Sequence, residues 1–434
     1  MLLTIDKLIY GGNGLARLPA DEKGPGKAVF LPFVLEGERV EAEITEQKPG
    51  FARARAGEIL EPSPHRVAPA CPYFGQCGGC HYQHAGYDHQ LQIKAAILRE
   101  TIRRVAKLEV EQEIRVHPSP PWNYRNRTRL RVRTRPFVLG YNRLRGSELL
   151  AVEQCPISSP LINRAIAALW ELGRADKASA DVREIEFFAN ADDTRLLAEL
   201  TVQEAGWWHG RKSDVSQFVI ALRAAVPEIT GVCVFHATAQ GALEREDIPA
   251  ELQETFSADH LLYSTSTANY QVSAGSFFQT NRFLADKLVE VVTEGRSGDY
   301  ALDLYAGTGL FSVALAKNFR EVRAVESSPF SFHDLVRNCP QNVRLHQEAV
   351  EDFLGEAERD LVVVDPPRAG LGQKVAGLLA DSGAPRITYV SCDPATLARD
   401  LVVLMASGYR IDEAHLVDLF PQTFHIESVL QLVR

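Results

Sequence analysis

Two short apolar runs, each ending on a reactive side chain, constrain this sequence more than any other feature. Leu361–Val364 reads as a buried parallel strand that stops at Asp365-Pro366-Pro367-Arg368, and residues 387–390 read as a second that stops at Ser391-Cys392-Asp393-Pro394. In an open α/β sheet, ligands bind beyond the carboxyl ends of the strands, so Asp365 and Cys392 are expected to face one crevice. From about residue 269 the pattern alternates strand and helix, which predicts a doubly wound, Rossmann-like α/β domain over 269–434.

The first unit of that domain is ALDLYAGTGLFSVALA: a strand over 301–304, a turn at Gly307 and Gly309, and a helix beginning near Leu310. Glycines in such a turn let the backbone approach a cofactor at the helix amino terminus. Glu326, 23 residues after Asp303, sits where an acidic side chain accepts hydrogen bonds from ribose hydroxyls. A glycine turn alone suits a plain tight turn as well; the pair fits S-adenosylmethionine (SAM) or a dinucleotide.

At 434 residues the chain exceeds one ordinary core, which sets an expectation of two or three domains. Its net charge of −9 argues by itself against nucleic acid, because phosphate binding requires local positive charge, but distribution matters more than the sum. The first residues show no signal peptide, and no apolar run approaches the roughly 20 residues that span a bilayer, so a cytoplasmic protein without a membrane partner is expected.

Residues 1–62 read as short strands punctuated by Gly and Pro, which suits a small OB-like β-barrel with Arg53 and Arg55 as candidate phosphate contacts or a plain scaffold barrel. Prolines at 62, 64, 69 and 72 then lead into CPYFGQCGGCHYQH. Three of the seven cysteines, Cys71, Cys77 and Cys80, crowd into ten residues, and Cys155 offers a distant fourth thiolate. Four thiolates suit an iron-sulfur cluster or a structural zinc, although only Cys77 and Cys80 form a CxxC pair of the kind zinc ribbons use twice. Cys233 and Cys339 read as structural thiols.

Residues 87 to about 108 have helical apolar spacing, and this helix is expected to lie on the catalytic domain. Next, Arg125, Arg127, Arg129, Arg131, Arg133 and Arg135 alternate strictly, so a strand would place six guanidinium groups on one face. Such a stripe repels itself unless acidic partners or an anion lie opposite; RNA phosphate is one candidate, and a charge-guarded edge strand is the other. Trp122 and Tyr124 are candidates for stacking on bases, or for the core. The remainder of a 63–268 central α+β segment shows sheet-like runs, one helix and a polar loop bearing Trp207 and Trp208.

With DPPR, SCDP and the cysteine spacing in view, the chain resembles the RNA uridine-C5 methyltransferases, and within them the branch carrying a TRAM domain and an iron-sulfur cluster. That resemblance implies a [4Fe-4S] cluster on Cys71, Cys77, Cys80 and Cys155, and a TRAM barrel at residues 1–62. It implies that Tyr305, Gly307, Gly309, Glu326, Asp365 and Gln279 contact SAM, that Glu348 lies near its adenine, and that Phe277 of the F-x-Q segment stacks near the target base. It also implies Cys392 as a nucleophile adding to C6 of uracil, Glu427 of FHIES as the base removing the C5 proton, and Asp365 as a partner of the uracil edge or the cofactor. Leu310 departs from the polar residue expected after the second glycine. Ribosomal RNA is the expected substrate, 23S above all, with no obligate protein partner. The alternatives are a transfer-RNA uridine-C5 methyltransferase, a cytosine-C5 RNA methyltransferase, and a non-catalytic RNA-binding iron-sulfur protein.

Overall fold

The computed structural model describes all residues except 20–25, 204–211, 238–250 and 356–357. Trp207 and Trp208 therefore lie outside the described residues. Strands Leu2–Ile9, Asn13–Arg17, Ala28–Pro32, Arg39–Gln47 and Phe51–Glu61 close into a barrel in the order first, second, third, fifth, fourth. Alternation turns Leu3, Ile5, Val29, Leu31, Val40 and Ala52 inward to form its core. The interior is too tight for a side chain at Gly14, whose added Cβ would come within 2.4 Å of Val34.

The central segment builds a seven-stranded mixed sheet, in which Arg127–Thr134 lies between Val182–Ala189 and Phe137–Asn142. Helices Pro160–Arg174 and Lys212–Ala225 bury Ile162, Ile166, Leu169, Phe218 and Leu222 against it. The predicted strand of alternating arginines thus sits inside a sheet and not at its edge.

The C-terminal sheet has eight strands. Five run parallel in the order Val343–His346, Phe319–Val325, Gly298–Leu304, Leu361–Val364, Arg386–Ser391. Ser428–Val433 then pairs antiparallel with Arg386–Ser391, followed by Arg410–Val417 and, at the edge, Ile114–His117. That last strand comes from the central segment by sequence. Helix Tyr87–Ala106, just before it, lies on helix Pro394–Ala406, and its Ile93, Ile97, Leu98 and Ile102 share a core with Leu397, Leu401 and Leu404. Residues 87–117 accordingly pack with the C-terminal layer. Among the described residues no helix is long and apolar enough to cross a membrane.

Candidate active site

Ser391 and Ser428 face each other across the antiparallel pair, so Cys392 and Glu427 each lie one residue beyond the same rung. Register with the next strand is equally direct: Leu304 faces Val364, which puts Tyr305 and Asp365 side by side at the carboxyl ends. The three expected reactive groups therefore converge. Their electrostatics agree: burial, then the charges of Glu427 and Asp365, pushes the Cys392 thiol up to about 12, while Arg368 pulls it down. Burial and then Asp365 hold Glu427 well above the ordinary carboxylate range, again against Arg368, and burial raises Asp365 to about 7. Burial thus favours the protonated form of both carboxyls. His425, lowered by burial to about 3, is neutral.

The glycine turn shapes the neighbouring half of the crevice. Tyr305 follows strand Gly298–Leu304 with a φ of 63°, and Gly307 and Gly309 take 56° and 95°, so the chain reverses tightly before helix Leu310–Leu315. Glu326 accepts the Gly307 amide at 2.8 Å and the Ser328 amide at 2.6 Å, fixing its carboxylate at the turn with lone pairs to spare for hydroxyls. Asp303 is fully buried, and its pKa is raised to about 7 by burial against a hydrogen bond from Ser312; its Oδ1 has no partner among the described residues. An orphaned acceptor in a buried cleft is what a polar ligand satisfies. Glu348, exposed, lies two residues beyond strand Val343–His346, 3.5 Å from His346.

Gln279 is buried and Phe277 is 62% exposed. What holds this segment is Arg127. Its guanidinium is wrapped by Glu186 and by Glu199 at 2.9 Å, and it donates to the Ser276 carbonyl; Glu199 also accepts the Gly275 amide at 3.2 Å. Acidic partners do lie opposite the arginine stripe: Glu186 faces Arg129 and Glu184 faces Arg131 on the adjoining strand. Arg129 bonds Glu186 at 2.8 Å, Arg131 bonds Asn142 at 2.7 Å, and Arg125 turns onto the Arg127 carbonyl. A uniform six-guanidinium RNA face is therefore corrected to one buried brace, several tethered arginines, and the exposed Arg133 and Arg135. Arg127→Ala is expected to destabilise the protein by about 3–5 kcal/mol, because it leaves the buried Glu199 without its ion partner and Glu186 with Arg129 alone. Arg133→Ala is expected to shift stability by no more than about 0.5 kcal/mol. Urea unfolding compares them.

Tyr124 is likewise no stacking platform: it is fully buried and donates to the Pro421 carbonyl at 3.0 Å. Arg53 and Arg55 pair with Glu46 at 3.0 Å and Glu43 at 2.6 Å on the barrel surface. Two site residues escaped sequence reasoning. Arg368, visible in DPPR but given no role there, supplies the cation facing Cys392 and Glu427. Tyr10, from the barrel, donates to Asp393 at 3.0 Å and meets Phe424 edge-on at 5.5 Å, and no local signal marks it.

Cys71, Cys77, Cys80 and Cys155 line one cavity of about 320 Å³ with Arg125 and Tyr141, and none is in a disulfide. The backbone curls around it: Gly78 donates to the Asn142 carbonyl at 3.2 Å and Asn163 accepts the Cys155 amide at 2.8 Å.

A mostly parallel sheet with a glycine turn, an orphaned acidic acceptor, and a thiol beside two carboxylates are the parts of a nucleotide-type cofactor fold with a reactive cleft at its strand ends. The family described as tRNA (Uracil-5-)-methyltransferase matches residues 86–360 and 343–434, and a TRAM domain matches residues 1–56. The chain belongs to that methyltransferase family, and its five-stranded barrel is a TRAM domain. It is 33% identical over 442 residues to an uncharacterized RNA methyltransferase of Aquifex aeolicus, covering 99% of this chain and 97% of that one. It is also 33% identical to the 23S rRNA (uracil(1939)-C(5))-methyltransferase RlmD of Salmonella paratyphi A, covering 100% and 96%. The crystal structure of the Pyrococcus abyssi tRNA (uracil-54, C5)-methyltransferase with S-adenosyl-L-homocysteine superposes with a TM-score of 0.76 at 25% identity, covering all of both chains.

Proposed function

We propose that this protein methylates C5 of a uridine in 23S ribosomal RNA with SAM as donor, through a transient bond between Cys392 and C6 of the uracil. The observation that carries the reading is the placement of Cys392 and Glu427 one residue beyond a shared rung, with Asp365 on the neighbouring strand end. The RlmD relatives of Chromohalobacter salexigens and Salmonella paratyphi A, at 34% and 33% identity, favour ribosomal over transfer RNA.

C5 of uracil is a weak nucleophile. Addition of the Cys392 thiolate to C6 turns the ring into an enolate whose C5 is electron-rich. As substrate enters, the resting thiol passes its proton to solvent water, and Arg368 favours the thiolate. SAM, when bound, supplies an electrophilic methyl on a sulfonium cation. Asp303, Glu326, Tyr305 and Gln279, with the turn at Gly307 and Gly309 and Glu348 towards the adenine, are the groups this chain offers to hold it. Phe277 stacks near the base, and the target uridine must be unpaired or flipped, because stacking in a helix hides C6. Glu427 then removes the C5 proton, and Asp365 orients the uracil edge or the cofactor.

The cysteine cavity fits a [4Fe-4S] cluster held by Cys71, Cys77, Cys80 and Cys155. Four free thiols share its wall, and Cys77 and Cys80 form a single CxxC pair where a zinc ribbon would use two. The cluster's part is structural. Protein purified without oxygen is expected to contain iron and sulfide in equal amounts, and Cys155→Ser to lose most of both; zinc in their place would refute this.

The function is tested by incubating the protein with methyl-labelled SAM and unmodified 23S or transfer RNA, then digesting to nucleosides. Label in 5-methyluridine from 23S RNA is expected. Label in 5-methylcytidine, or in 5-methyluridine from transfer RNA alone, would redirect the assignment.

A further inference from the structure

Glu427 ends the connection 418–427 between strands Arg410–Val417 and Ser428–Val433, closed at its base by the Val417 amide donating to the Glu427 carbonyl at 2.9 Å. Between these ends the connection has no regular structure of its own. Four successive carbonyls are instead taken by donors from distant parts of the chain. Asn281 Nδ2 bonds Leu419 at 3.0 Å, Lys94 Nζ bonds Phe420 at 2.9 Å and the Tyr124 hydroxyl bonds Pro421 at 3.0 Å. The His81 and Tyr82 amides bond Gln422 at 2.8 and 2.9 Å. Gln422 itself is held at a φ of 68° by Gln90, which bonds both its amide and its side-chain oxygen at 3.0 Å.

Lys94 is the centre of this clamp. It is fully buried, and its ammonium also bonds Asp418 Oδ1 at 2.6 Å while the Tyr87 hydroxyl takes Oδ2 at 3.0 Å. A buried ammonium is costly, and an apolar side chain of similar size in its place is often neutral or stabilising, so stability alone does not account for a charge here. Three of the other donors adjoin the cysteine cavity: His81 and Tyr82 follow Cys80, and Tyr124 packs with Cys80 and Ile157.

We propose that Lys94 and Tyr124 are positioning residues that set Glu427 against C5 of the methylated base, acting on product release from Cys392 and not on methyl transfer. This rests on the roles given above to Cys392 and Glu427. In the step concerned, the Glu427 carboxylate takes the C5 proton, the C5–H electron pair becomes the C5=C6 bond, and the C6–S bond breaks with its pair leaving as the Cys392 thiolate. A small shift of the 418–427 backbone misplaces the base without moving Cys392, which is fixed on its own strand.

Two variants separate positioning from stability. Lys94→Met with Asp418→Leu removes both buried charges together and leaves the Phe420 carbonyl only its local donors, the Thr423 hydroxyl and amide; Tyr124→Phe removes only the donor to Pro421. Both are expected to melt within a few degrees of the parent and to transfer methyl in a single turnover within about threefold of its rate. Steady-state turnover should fall by at least about tenfold, with a methylated RNA–protein adduct accumulating on denaturing gels. Glu427→Gln is the reference and should accumulate the same adduct. Full turnover in both variants, or loss of single-turnover transfer in step with a lowered melting temperature, overturns the proposal. If the double variant does not fold, Tyr124→Phe decides alone. Absence of adduct with Glu427→Gln as well would place the fault in the roles of Cys392 and Glu427 themselves.

Discussion

Cys392→Ala is expected to lower methyl transfer by at least about 1,000-fold while leaving the fold and the binding of S-adenosylhomocysteine intact. The size follows from the chemistry. Without the sulfur–C6 bond the ring has no enolate, and C5 keeps too little electron density to displace a methyl group. No other thiol of the described structure substitutes. Cys339 and Cys233 lie in apolar packing, and the remaining four line the separate cavity. The fold is spared because Cys392 makes none of the hydrogen bonds that cap the following helix; those belong to Asp393, whose Oδ1 accepts the Ala395 and Thr396 amides at 2.9 and 3.0 Å. Calorimetric titration of S-adenosylhomocysteine, beside a single-turnover assay, separates binding from chemistry. A variant that keeps a tenth of the parent rate would remove Cys392 from the mechanism.

The second large effect has opposite signs in stability and activity. Burial raises Asp365 to about 7 in the folded protein from an ordinary value near 3.8. A carboxyl whose folded pKa is raised contributes stability that is fully present below its unfolded pKa and is lost as pH rises through the folded one. The window therefore runs from about pH 4 to about pH 7. Asp365→Asn removes that loss. With allowance for partial solvent access, it is expected to be more stable than the parent by roughly 2 kcal/mol at pH 8, with the gap closing towards pH 4. Methylation by the same variant is expected to fall by about 100-fold or more, because an amide at this strand end can neither ionise nor present the two acceptor oxygens of a carboxylate to the uracil edge or the cofactor. Urea unfolding of the two proteins at both pH values, with the methyl-transfer rate, checks each half. A pH-independent stability difference would mean that Asp365 is ionised in the resting site.

What the sequence disclosed about this site was local. The runs at 361–364 and 387–390 are short, apolar and stopped by Asp-Pro-Pro and Cys-Asp-Pro, so both the strands and the side chains at their ends follow from composition and punctuation. The glycine turn was legible for the same reason, since Gly307 and Gly309 are needed where φ is positive. The cysteine spacing pointed to one shared cavity even though Cys155 lies 75 residues from Cys80.

Pairings across the chain left no such trace. The partner that buries Arg127 is Glu199, 72 residues away, and the hydroxyl that meets Asp393 is 383 residues away in the barrel. Alternation placed Arg127, Arg129, Arg131 and Arg133 on a strand, with Arg125 and Arg135 falling just outside it, yet it carried no information on what the next strand presents, so a stripe of guanidinium groups could not be told from a set of internal ion pairs. Ile114–His117 shows the same limit: four residues of unremarkable composition gave no sign that they close the far edge of the C-terminal sheet. Lys94 reads in sequence as one more cation on an amphipathic helix, and only the fold buries it against Asp418.

The central claim is that Cys392 bonds covalently to the uridine it helps to methylate. RNA in which the target uridine carries fluorine at C5 tests it most directly, because the fluorine that replaces the C5 proton cannot be removed by Glu427 and the adduct cannot eliminate. After incubation with SAM and digestion, the peptide containing Cys392 is expected to carry one nucleotide plus one methyl group by mass spectrometry. Modified RNA bound under the same conditions without any adduct, or with the adduct on another residue, would contradict the account.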